Sequence, residues 1–198
     1  TCVLASPAFA EYERDQPLFS AYTGADLKRA LMFDYEKFAF PVSVVDSSKS
    51  FKPLEAIGDL YQHTYEIKNV STLKVFENYV AAAKQAGFKP LFTCSLDACG
   101  GESEARYLGS LLAEAGDVYN FWSKPYYWVG EKESANGKIV SAWFIGGYDD
   151  NLRVQQVVVE GEPLETGLVK VNDAYASQGA APAKVEALSA QEKAKDSD

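Results

Sequence analysis

The sequence predicts an α+β domain in which two main helices pack on one face of a largely antiparallel sheet. Three observations predict it. Two stretches repeat apolar residues at three and four positions and end at a glycine. Several runs of β-branched and aromatic residues alternate with polar ones, and most fall in the second half of the chain. The chain has 198 residues, 47% hydrophobic and 24% charged, enough for one core with tails.

Taken in order, Glu11 to Lys37 is polar and aromatic by turns, punctuated by Pro17 and Gly24. It reads as irregular, with a short extended piece near Ala21 to Leu31. Phe38 to Val45 alternates as a strand does, and Pro41 inside it implies a sheet edge. Asp46 to Ser50 is a loop. From Leu54 to Lys68 two extended stretches follow, the second being Tyr61 to Ile67. Ser71 then caps a helix that carries Leu73, Phe76, Tyr79, Val80 and Ala83 on one face until Gly87. Phe88 to Cys94 returns as a strand. Strand, helix and strand over residues 61-94 make a βαβ-like unit with parallel strands, with room for a third strand between them. A second helix from Glu102 to about Ala115 places acids in its first turn and Leu108, Leu111 and Leu112 on one face. The remainder reads as strands at Val118 to Ser123, Tyr126 to Glu133, Ile139 to Gly146 and Arg153 to Glu160, with a hairpin turn at Asn136-Gly137.

Composition excludes several function classes. The formal charge is −9, from 28 acids against 19 Lys and Arg, and no basic cluster is present to meet phosphates, so nucleic acid is not an expected partner. No run of 18 apolar residues exists to span a bilayer. Residues 1-10, Thr1 to Ala10, are uncharged and apolar and end in Ala8-Phe9-Ala10, the small-x-small pattern of a signal cleavage site. They read as a signal peptide remnant, with a short buried strand as the alternative. Residues 11-172 then form the single domain. Residues 173-198, rich in Ala, Ser, Gln and Lys, read as a disordered polar tail. Export to an oxidising compartment makes Cys94 and Cys99, ahead of Gly100-Gly101, a disulfide pair. So small a loop contributes only about 2 kcal/mol, and its role is to fix a turn. A metal reading lacks ligands, and C-x4-C is not the spacing of a redox motif.

Catalytic candidates are few. The lone His63 sits in a strand with no acid or nucleophile at a useful spacing, and reads as a surface or sheet histidine. Glu102 and Glu104 read as first-turn helix charges, and Asp149-Asp150-Asn151 as a hairpin turn, since the alternating ligands of a calcium loop are absent. No catalytic residue, metal ligand or cofactor motif is identified. Nine aromatics lie between Tyr119 and Tyr148. A sheet with one core face accounts for such a concentration. Because Tyr126, Tyr127 and Trp128 are consecutive, however, some must point away from that core, so Tyr126, Tyr127, Trp128 and Trp143 form the candidate binding surface for a sugar ring or a partner protein.

Further segments carry a resemblance. Asp15 to Tyr22, Phe33-Asp34-Tyr35, Leu73 to Tyr79 leading to Ala86-Gly87-Phe88, Leu91 to Cys94 with Cys99-Gly100, Arg106 to Leu108, Gly116 to Tyr119, and Val158 to Glu160 followed by Pro163 to Gly167 together resemble the family called domain of unknown function 4892. The resemblance spans most of residues 15 to 172. Gln16 and Ala21 stand where the family pattern has a His and an Arg. It implies an exported protein of Gram-negative bacteria with paired cysteines, and supplies no catalytic residues. Some members add an OmpA-like domain that grips peptidoglycan, and in place of one this chain ends in its polar tail. The expected function is that of a non-enzymatic periplasmic envelope protein that binds an envelope protein or peptidoglycan. The alternative is an envelope hydrolase or transferase acting on cell-wall glycan.

Overall fold

The computed structural model describes residues 18–113, 123–148 and 150–170. It is built on a single six-stranded sheet, and 49% of the described residues are strand against 20% helix. The strands are β1 (Asp26–Pro41), β2 (Pro53–Ile67), β3 (Lys89–Ser95), β4 (Tyr126–Ser134), β5 (Gly137–Tyr148) and β6 (Asn151–Gly161). The helices are α1 (Thr72–Gln85) and α2 (Glu102–Leu112), the latter preceded by a 3₁₀ turn at Leu96–Cys99.

Spatial order is β1-β2-β6-β5-β4-β3, and every neighbouring pair is antiparallel. This corrects the expected fold class: the domain is dominated by its sheet, with two short helices, rather than a balanced α+β layer pair. It also corrects the βαβ-like unit at residues 61-94. Strands β2 and β3 do point the same way, but α1 carries the chain to the far edge and β6, β5 and β4 fill the gap. Among the described strands no parallel pair results.

Expectation fails again in placing both helices on one face. Along β4 and β5 successive side chains alternate between two separate cores. Tyr126, Trp128, Trp143 and Ile145 join Val75, Phe76, Tyr79 and Ala83 of α1 on one side. Tyr127, Val129, Ala142 and Phe144 join Leu108 and Leu112 of α2 on the other. The sheet is therefore sandwiched, with one helix per face, and runs such as Val157-Val158-Val159 are wholly buried because both faces are covered.

Local chemistry explains the elements. The Ser71 side chain accepts from the Lys74 N–H to cap α1, and Gly87 closes it at φ +82°. The face of α1 differs slightly from the expected one, since Val75 is buried and Leu73 is exposed. Strand β1 is a 16-residue edge where the sequence suggested an irregular stretch and a short strand. Register shifts between Leu27 and Arg29 and between Phe33 and Glu36 break its alternation. The two stretches expected over Leu54 to Lys68 are one continuous strand, β2. The β4–β5 turn is centred on Ala135-Asn136, with Gly137 paired to Ser134, one residue earlier than expected. Tyr148 pairs with Asn151 across the β5–β6 connection, and Asp149 of the turn expected there lies outside the described residues.

The compact unit ends at Pro163. Of the unit that follows, residues 164–170 are described and carry neither helix nor strand. The expected signal remnant at 1-10, the polar tail at 173-198, and all but Ser123 of the strand expected at Val118 to Ser123 lie outside the described residues.

Candidate functional site

Tyr126, Tyr127, Trp128 and Trp143 do not form a surface. Each is 9% exposed or less, and the sheet divides them between its faces. On the α1 face the Trp128 and Trp143 rings stack at 4.5 Å, Phe19 meets Trp143 edge-on at 5.0 Å, and Phe76 covers Tyr126 at 5.1 Å. On the α2 face Tyr127 donates its hydroxyl to the Pro41 carbonyl at 2.8 Å. The binding-surface assignment is corrected to core, because a helix closes each side that the consecutive aromatics reach.

Cys94 and Cys99 are disulfide-bonded, with Cα atoms 5.0 Å apart. The bond ties the end of β3 to the 3₁₀ turn that leads into α2, and Gly100 takes φ +97° directly after it. Among the described residues no helix is long and apolar enough to cross a membrane.

His63 is 2% exposed and stacks on Tyr65 on the α1 face, in register with Ala30 and Gln156. Glu102 accepts from Arg106 at 2.7 Å one helical turn away, as a first-turn acid does.

What faces solvent as a concavity is elsewhere. A cleft of about 530 Å³ opens between Leu18–Thr23 and the side of α1 that presents Asn78, Tyr79, Ala82 and Gln85, with Ala86 just past its end. Its formation follows from the packing. Phe19 is drawn onto Phe88 and Trp143, which anchors the segment beside the helix, and the Ala25 N–H bonds the Tyr22 carbonyl to turn it into β1. Alanines on the flank of α1 cannot fill the remaining space. Among the described residues, the lining contains no charged residue. Asn78 donates from Nδ2 to the Lys74 carbonyl at 2.7 Å, which leaves its Oδ1 as an acceptor. Tyr22 in the lining is half-buried and packs against the α1-face core. Sequence reading missed this site because segment 18–23 has no periodicity; the small-residue run Ala81-Ala82-Ala83 on a helix was the available signal.

A second grouping was also invisible in the sequence. Asp34, Asp59 and Glu162 each bring a carboxylate oxygen within 4.8 Å of the others. The Asp59 charge, then burial, then the Asp34 charge raise the Glu162 carboxyl above its ordinary value. Asp34 and Glu162 are exposed, and none of the three lines the cleft. Glu66 shows the opposite balance. Burial pushes its carboxyl up, but Lys28, Lys68 and Arg153, at 3.5, 3.6 and 3.6 Å, more than offset this and hold it below the ordinary range.

No family model matches the chain, and no curated protein is found to match it.

Proposed function

We propose that this is an exported binding protein of the cell envelope, without catalytic activity, whose ligand occupies the cleft between Leu18–Thr23 and α1. The observation that carries the reading is the cleft itself, whose size is that of a small-molecule site and whose walls join rings, amides and hydroxyls. The Cys94–Cys99 bond suits an oxidising compartment, and the resemblance to domain of unknown function 4892 implies the same periplasmic destination. A glycan hydrolase or transferase needs an acid or base beside its substrate. None of the three grouped carboxylates lines this cleft, although Glu162 lines a second concavity of about 400 Å³ with Glu55 and Glu131, and this favours binding over turnover at the cleft itself.

The test is amide chemical-shift mapping of the labelled protein titrated with the low-mass fraction of envelope extract. Shifts are expected at Leu18–Thr23 and Asn78–Ala86. Ala82→Trp, which fills the cleft from an exposed position, is expected to abolish them. An absence of cleft shifts, or equal shifts in the variant, contradicts the reading.

A further inference from the structure

We infer that the cleft selects an uncharged carbohydrate, a short oligosaccharide; this rests on the cleft being the binding site. In a chain that is 24% charged, the eleven described residues that line the cleft are all neutral. A charged ligand would leave water with no counter-charge among the described lining residues to receive it, which is costly, whereas a neutral polyol loses only hydrogen bonds that the wall can replace.

The replacing groups have the character sugar hydroxyls require. Asn78 Oδ1 is an acceptor, the Gln85 amide is both donor and acceptor, and Ser20 and Thr23 add hydroxyls. The half-buried Tyr22 in the lining carries an apolar ring with a polar tip, the chemistry that suits the apolar face of a pyranose. Ala82 and Ala86 keep the helix wall shallow, so a flat ring can approach the backbone. A peptide is a poorer fit. The segment from Leu18 to Thr23 carries no strand to pair with a peptide and turns at Tyr22–Ala25.

The test is calorimetric titration of the whole chain with tri-N-acetylchitotriose, whose acetamido groups match the amide-rich wall, and with a neutral tripeptide. The expected result is saccharide binding that barely changes between low and high salt. Asn78→Ala and Tyr22→Ala should each weaken it by about tenfold, about 1.4 kcal/mol. Asn78 is exposed, so that variant stands even if Tyr22→Ala perturbs folding. Salt-sensitive binding, preference for the tripeptide, or binding unchanged in the Asn78 and Ala82→Trp variants overturns the inference. If the saccharide does not bind while envelope extract still shifts cleft amides, the carbohydrate class is wrong and the binding reading survives. If neither ligand perturbs the cleft, both fall.

Discussion

Tyr127 reaches through the core to hold the chain where it leaves β1. Its hydroxyl donates to the Pro41 carbonyl, and burial pushes its ionisation well above the ordinary 10.0. Tyr127→Phe leaves that buried carbonyl unpaired and should cost about 1–2 kcal/mol in denaturant unfolding. Since the fold keeps the proton that the unfolded chain releases, this residue's contribution is complete below pH 10.0 and falls as pH rises beyond it. Tyrosinate absorbance should then show Tyr127 ionising only as the protein unfolds. Glu66 acts on the acid side. Its folded carboxyl is held below the ordinary range, so its contribution is present at neutral pH and lost as pH falls through the lowered value. Glu66→Gln should cost about 1 kcal/mol at neutral pH, between the values for exposed and buried pairs. It should also flatten the acid limb of the stability profile. Glu162 titrates in the opposite sense, because Asp59 and Asp34 raise it; Asp59→Asn should lower its titration midpoint as followed by side-chain carboxyl shifts.

Between strands, the register depends on a few close approaches. At Gly58 φ is +153°, and a Cβ there would fall on the Glu160 carbonyl oxygen across the β2–β6 pair. Gly58→Ala should cost about 2–4 kcal/mol, read from the denaturation midpoint, as backbone strain adds to displacement of β6. Elements whose signals are local were legible in the sequence: the Ser71 cap, the Gly87 stop, and strands β3 to β6 within a few residues. Strand β1 was not. As an edge it buries little beyond Ala30, Phe40 and Pro41, and its two register shifts, with Tyr35 at φ +49°, erase the period of two. Strand order was equally hidden, since α1 delivers β3 to the far edge before β4, β5 and β6 exist to occupy the middle.

Across the whole molecule, two opposed cores explain why the aromatic residues misled. A sequence that buries both faces of a sheet looks like one with a sticky face, because consecutive aromatics in a strand are compatible with either until both helices are placed. Segment 18–23, silent in the sequence, frames the cleft only because Phe19 inserts beside Trp143. The disulfide is local to this architecture. Cys94→Ser with Cys99→Ser should lower stability by about 2 kcal/mol while unfolding stays a single transition, and the oxidised wild type should be lighter than the reduced form by two protons. Hydroxyl-radical footprinting with and without the low-mass envelope fraction shows whether ligand is met at the cleft or on the aromatic sheet. Tyr22 should be oxidised and become protected by ligand, while the buried Tyr127, Trp128 and Trp143 stay unmodified in both samples. Oxidation of Trp128 and Trp143 that ligand suppresses, with Tyr22 unaffected, would contradict it.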